Sequence, residues 1–266
     1  MSTMKIKNPF EFEKIRSKLA EDRKFIELEK TYSGATPTIS ASNKGPVWDK
    51  LNRSFINSIS HNPMAVDKFR IVNAWIDRRS PSKVLNVGFG NGILESMVHN
   101  IHANIDWNGI DISKKFVREM SSKYQEWKFS TQSIESMKLS TKTYDLIICL
   151  DVLEHIHPSN ALNCIRKISA ALTTRGELIL SVPLNENLEK MVKAGSNPNH
   201  HVRVYTEQLV KAELEICGLN VVEEKSLYAF NNYYHLKKLL ALVFDGIRKP
   251  NLIILRLRKH EGGFFV

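Results

Sequence analysis

The run D-V-L-E-H at 151–155 places Asp151, Glu154 and His155 at i, i+3 and i+4. On an α-helix that spacing puts all three side chains on one face. Two carboxylates and an imidazole can hold a divalent cation, and N-H-H-V at 199–202 offers a further imidazole from His200 or His201. A magnesium, manganese or zinc ion there could bind ligand oxygens and lower the pKa of a hydroxyl. Without a metal, His155 is a candidate general base, because imidazole titrates near neutrality. The residues alone leave both readings open.

A second constellation suits a nucleoside. Gly88, Gly90 and Gly92 follow the apolar run Val84, Leu85, Val87, and a helical pattern comes next with Ile93, Leu94, Met97 and Val98 on one side. A strand, a glycine turn and a helix N-terminus together make a nucleotide-type site. The dinucleotide fingerprint would put its third glycine at position 93, which is Ile93. Further on, N-G-I-D-I-S at 108–113 ends a second apolar run with Asp111, and a carboxylate there can accept both hydroxyl hydrogens of a ribose. That role is common to NAD and S-adenosylmethionine sites.

The elements that must position these groups read as alternating strands and helices. Apolar runs predict strands at 84–87, 106–110, 126–129, 144–149, 176–182, 219–226 and 252–258, with helices at 92–101, 113–123, 134–137, 159–172, 206–217 and 233–247. Such alternation implies an α/β fold with a mostly parallel sheet, helices on both faces and ligands beyond the strand C-termini. Residues 86–92, Asp111, Gln132, Ser133, Ile134 and 150–155 all follow strand ends and are expected on one rim.

The first 80 residues read differently, as a helical N-terminal cap and linker before a domain spanning 81–266. A helix is expected at 9–30, a loop at 31–46, and two helices between 47 and 79 split by H-N-P at 61–63. A helical insertion near 230–250, with Leu236, Leu239, Leu240, Val243 and Ile247 at helical spacing beside Lys237 and Lys238, suits a membrane surface, a lid or simple packing.

Net charge is +10, divided as +6 over 1–80, −1 over 81–226 and +5 over 227–266. The basic ends fit an anionic partner, whether a phosphorylated substrate, nucleic acid or membrane, or else ordinary solvated lysines. Cys149, Cys164 and Cys217 form no C-x-x-C pair and read as buried thiols of a reducing compartment. Neither a secretory leader nor an 18-residue apolar run is visible, so a cytoplasmic protein is expected, with peripheral membrane contact left open.

V-L-N-V-G-F-G-N-G-I-L, G-I-D-I-S, D-L-I-I-C-L-D-V-L-E-H, G-E-L-I-L-S-V-P and H-V-x-x-Y-T together closely resemble class I S-adenosylmethionine-dependent methyltransferases. The likeness is nearest to the ubiquinone-pathway O-methyltransferase branch and covers about residues 68–226. It implies a Rossmann-like seven-stranded sheet and methyl transfer from S-adenosyl-L-methionine. By resemblance, Asn86, Gly88, Phe89 and Gly90 would cradle the methionine part and Asp111 the ribose. Ile112, Gln132, Ser133 and Ile134 would edge the adenine, Leu150 would cover the sulfonium, and Arg70 would stand near the cofactor carboxylate. Asn86 and Gln132 depart from the more usual acids. Some relatives carry E-x-x-E-H with a downstream histidine as a metal site, which implies Asp151, Glu154, His155 and preferably His201 here, with His200 as the alternative. The expected reaction is O-methylation of a small-molecule or lipid-linked acceptor. RNA methylation and a non-catalytic cofactor-binding subunit acting through a partner are the alternatives.

Overall fold

The structure is a computed structural model that describes residues 43–50, 62–99, 101, 104–230, 234, 237, 240 and 249–259. In chain order these form α1 (Gly45–Lys50), α2 (Pro63–Arg79), β1 (Lys83–Val87), α3 (Ile93–His99), β2 (Asp106–Asp111), α4 (Lys114–Lys123), β3 (Lys128–Thr131) and β4 (Tyr144–Leu150). A 3-10 turn (Leu153–His155) follows, then α5 (Pro158–Ala171), β5 (Leu172–Pro183), α6 (Leu188–Lys193), α7 (Glu207–Ile216), β6 (Leu219–Leu227) and β7 (Leu252–Lys259).

The seven strands form one sheet in the order β3-β2-β1-β4-β5-β7-β6. β3 to β5 are parallel, and β7 runs antiparallel between β5 and β6. From β1 the chain winds outward to β3, then returns to lay β4 on the other side of β1. The crevice above β1 and β4 is therefore the switch point where open α/β sheets bind ligands.

Strand periodicity divides the core in two. Leu85, Val87, Ile147 and Cys149 face α5 and α7, whereas Val84, Trp107, Leu146 and Ile148 face α2, α3 and α4. Each aliphatic side chain so buried contributes about 1.5–3 kcal/mol. In α2 the stripe Val72, Trp75, Ile76 faces the second core. Asn62 starts that helix by accepting from the N–H groups of Met64 and Ala65, with Pro63 in its first turn, and Ser80 ends it in a left-handed conformation.

Several expectations need correction. Residues 134–136 form an isolated turn, with the Ser133 carbonyl accepting from Ser136 and Met137, rather than a helix. β5 begins at Leu172, four residues earlier than the apolar run suggested, because Thr173 to Arg175 extend the strand without being apolar. α6 is not among the helices expected from the sequence; Leu188 is its one buried residue, and Met191 and Val192, at helical spacing from it, are only half-buried. The helix read at 9–30 and most of 233–247 lie outside the described residues, although Tyr234, Lys237 and Leu240 are helical. Among the described residues no helix is long and apolar enough to cross a membrane.

Candidate active site

The ends of β1, β2 and β4 surround a cavity of about 660 Å³ that also takes walls from α1, α2 and the loops after β3 and β5. Asn86, Gly88, Phe89, Gly90, Asp111, Ile112, Gln132, Ser133, Ile134, Leu150, Asp151, Glu154, His155 and His201 all line it. Its floor is the glycine turn. Gly88 has φ +72°, and a Cβ there would lie 2.5 Å from Cγ2 of Val152, so only glycine fits between the β1 and β4 loops.

Asp111 is buried, and burial raises its pKa against the two backbone N–H groups it accepts from. Gly90 donates to Oδ2 at 2.9 Å and Ser113 to Oδ1 at 2.8 Å. Each oxygen keeps a further lone pair for a ligand hydroxyl. Ile112 and Ile134 give apolar walls nearby, and Gln132 donates its side-chain amide to Ser130 Oγ at 3.0 Å.

The asparagine at 86 has a structural reason. Its Nδ2 donates to Glu95 Oε1 at 2.8 Å, and Trp107 Nε1 donates to the same oxygen at 3.1 Å. Glu95 is fully buried, and burial pushes its pKa up to about 7. An acid at 86 would set a second carboxyl against Glu95 in place of the amide donor. Because Glu95 holds its proton more tightly when folded, stability falls as pH rises from its unfolded value near 4.5 to about 7. That fall amounts to about 3 kcal/mol. Glu95→Gln is expected to remove it, so urea unfolding should show the variant gaining on the wild type between pH 5 and pH 8. Parallel pH curves would refute the assignment.

Arg70 lies outside the cavity. It is 71% exposed and pairs with Asp67 at 3.4 Å, because its position on α2 points away from the stripe that faces the sheet. Lys68, on the inner face of the same helix, lines the cavity and is 10% exposed. Lys68 pairs with Asp151, whose Oδ1 also accepts from Ser181 Oγ at 2.5 Å. Burial pushes the Asp151 pKa up, but the Lys68 charge and these two hydrogen bonds outweigh it and hold the carboxyl below its usual range.

Asp151 is therefore not grouped with the other expected metal ligands. Only Leu153–His155 is helical here, as a single 3-10 turn, and Asp151 has φ +53°, which turns its carboxylate toward Ser181 and α2. Among the described residues the three-fold grouping that does form is Glu154, His155 and His201, with one ligand atom from each lying within 4.8 Å of the others. His155 Nε2 and His201 Nε2 each stand 3.9 Å from Glu154 Oε1. His200 contributes only its backbone carbonyl, at a residue with φ +54°.

The second ring nitrogens fix the tautomers. His201 Nδ1 lies 2.6 Å from Glu186 Oε2, and His155 Nδ1 lies 3.3 Å from the His200 carbonyl. If each Nδ1 carries the donated proton, each Nε2 presents a lone pair to Glu154. Glu154 is 1% exposed, and among the described residues neither of its carboxylate oxygens has a hydrogen-bond partner. Burial, then the Asp151 charge, raises its pKa well above the ordinary value. Burial, then His201, pushes His155 down to about 4. Two imidazole nitrogens and a buried carboxyl without a hydrogen-bond partner among the described residues thus face one another, an arrangement that a cation would satisfy by displacing the proton burial favours on Glu154.

A mostly parallel sheet with an acid-tipped glycine crevice at its switch point is the architecture of a nucleoside-cofactor site. The sequence profile described as a methyltransferase domain matches residues 64–224, more than half of the chain. The chain belongs to that family, and it is a class I S-adenosylmethionine-dependent methyltransferase. An uncharacterized protein of Methanocaldococcus jannaschii is 24% identical over 185 residues, which is 69% of this chain and 76% of the relative. Among solved structures, the (4+2)-cyclase SpnF superposes with a TM-score of 0.59 at 18% identity, covering 81% of this chain and 94% of its own. The Burkholderia thailandensis 1,6-didemethyltoxoflavin-N1-methyltransferase, with 1,6-didemethyltoxoflavin and S-adenosylhomocysteine bound, gives 0.56 at 14% identity, covering 85% and 95%. At these identities the likeness concerns the fold, and the reaction must be argued from the site.

Glu186, Lys68, Trp48 and Asn43 also line the cavity and were not read from the sequence. Lys68 had a usable signal, since it continues the stripe of Val72, Trp75 and Ile76 by one helical turn. The others sit in a loop or a short helix without apolar periodicity.

Proposed function

We propose that this enzyme methylates an oxygen of a small-molecule or lipid-linked acceptor, with a divalent cation held by Glu154, His155 and His201. The observation that carries the reading is the buried, unpartnered Glu154 carboxylate facing two imidazole lone pairs. One carboxylate and two imidazoles suit zinc or manganese, and magnesium with additional waters. Such a cation would supply a lowered pKa to an acceptor hydroxyl.

The residues of the chain do the rest. Asp111 would hold the ribose hydroxyls, Gly88 and Gly90 would let the backbone approach the cofactor closely, and Ile112 and Ile134 would flank its adenine. S-adenosylmethionine supplies an activated methyl group, so the protein's task is alignment and removal of one proton. A histidine held near pKa 4 is neutral at pH 7 but a weak base, which favours His155 as a ligand over His155 as the lone proton acceptor.

The cavity's charge supports a non-phosphorylated acceptor. Lys68 is the one lysine or arginine on its walls among the described residues, and Asp151 engages it. Asp111, Glu135, Glu154 and Glu186 line the same space. A polyanion such as RNA would meet these acids with little compensation. The motif likeness to the ubiquinone-pathway branch agrees with an oxygen acceptor.

Calorimetric titration of chelator-treated protein with zinc or manganese tests the reading directly. One equivalent should bind, and a panel of neutral phenols and diols should then be methylated faster with metal than without. Absence of metal binding would overturn the cation, leaving the methyltransferase assignment in place.

A further inference from the structure

Residues 43–50 cross the mouth of the cavity and touch both of its ends. At the acceptor end, Asn43 Nδ2 donates to the His155 carbonyl at 3.0 Å and to the His200 carbonyl at 3.3 Å. Those carbonyls belong to the two loops that carry the imidazole pair, so one amide staples the loops together. The Trp48 ring stands edge-on to His155, with centroids 4.8 Å apart, and 6.3 Å from His200. The spacing of His155 and His201 thus depends on residues more than a hundred positions earlier in the chain.

At the cofactor end, Asp49 Oδ1 accepts from Ser113 Oγ at 2.5 Å and from the Lys115 N–H at 3.2 Å. Ser113 in turn donates its N–H to Asp111 Oδ1, and the other Asp111 oxygen accepts from Gly90. A continuous series of hydrogen bonds therefore joins the glycine turn, Asp111, Ser113 and Asp49. Gly45 makes the approach possible, since a Cβ there would sit 2.6 Å from the Ile112 carbonyl oxygen.

Among the described residues the segment has few contacts. α1 buries none of its residues, and its described tethers are the Asn43 amide, the Asp49 carboxylate and the Trp48 ring. A segment fixed by a few polar contacts opens easily, and anything that orders one end favours the other.

We propose that Asn43, Trp48 and Asp49 are positioning residues through which an occupied cofactor site fixes the spacing of His155 and His201. This rests on the cofactor occupying the crevice at Asp111. Ligand ordering of Ile112 and Ser113 holds Asp49, Asp49 holds α1, and Asn43 then locks the two histidine loops. The acceptor site is complete only when the cofactor is bound, which imposes an order of binding: cofactor before acceptor.

Amide hydrogen exchange on the full chain, with and without S-adenosylhomocysteine, tests this without knowledge of the acceptor. The reporters are the amides of His200, His201 and Val202, which donate to Asn197 O, Asn197 Oδ1 and Glu154 O. In the wild type, S-adenosylhomocysteine should slow their exchange about fivefold or more, together with that of 43–50. In Asp49→Ala the ligand should still protect Gly88, Gly90 and Ser113, while the slowing at 200–202 disappears. In Asn43→Ala, 43–50 should remain protected and 200–202 should not, and Asn43→Gln should restore part of the effect. Equal protection of 200–202 in the wild type and both alanine variants would overturn the proposal, as would a wild type in which the ligand leaves 200–202 unchanged. A wild type that does not bind S-adenosylhomocysteine would instead overturn the cofactor site itself.

Discussion

Replacing Glu154 by glutamine is expected to weaken zinc or manganese binding by about 100-fold or more, and to lower metal-dependent methyl transfer by about 10²–10⁴-fold. Glutamine keeps the volume of the side chain but replaces an anionic ligand by a neutral amide. The carboxylate it removes has no hydrogen-bond partner among the described residues, so no protein contact compensates for the loss and none is broken by it. The fold should survive, and the variant should melt no lower than the wild type in chelator. With metal present, the wild type should gain thermal stability by mass action and the variant should not. His155→Ala and His201→Ala should behave as Glu154→Gln does in the metal titration. Asp151→Asn should not, because that carboxylate is engaged by Lys68 and Ser181 instead of facing the imidazoles. The comparison separates the structural grouping from the one suggested by spacing. Equal loss of metal affinity in Asp151→Asn and Glu154→Gln would mean that Asp151 turns inward when a metal is present.

The same comparison shows where the sequence was legible. The alternation of strand and helix patterns located all seven strands, and the apolar centres of β1, β4 and β5 were the clearest, because a parallel sheet covered on both faces leaves its central strands little else to contain. Strand ends located the rim, because topology gathers them above β1 and β4. Cys149, Cys164 and Cys217 are buried free thiols, as their apolar surroundings implied. What failed was local geometry within loops. The i, i+3, i+4 argument for Asp151 presumed an α-helix, and one turn of 3-10 helix after a left-handed residue aims the side chain elsewhere. Arg70 failed on helical phase, two residues away from the cation that does face the cavity. Asn43 and Glu186 could not be read at all. Their importance comes from partners 112 and 15 residues away across irregular backbone, which no periodicity encodes.

Asp111→Ala is expected to weaken S-adenosylhomocysteine binding by about 2–4 kcal/mol, roughly 30- to 1,000-fold in Kd. The side chain would make two charge-assisted hydrogen bonds to the ribose, and it already organises the turn that receives the ligand. Its loss leaves the Gly90 and Ser113 N–H groups without their acceptor, so part of the effect comes from a loosened glycine turn. Asp111→Asn separates the two contributions. An amide can satisfy one of those N–H donors through its oxygen but presents its own N–H₂ to the other, so it should fall between the wild type and alanine. Because the missing contacts are to the ribose, 5′-methylthioadenosine, which keeps the ribose and lacks the amino-acid end, should lose as much affinity as S-adenosylhomocysteine does. NAD should bind neither the wild type nor the variants. Calorimetry with the three ligands gives the result. Unchanged affinity in Asp111→Ala, or a loss confined to S-adenosylhomocysteine, would remove Asp111 from the ribose and move the adenosine elsewhere in the cavity.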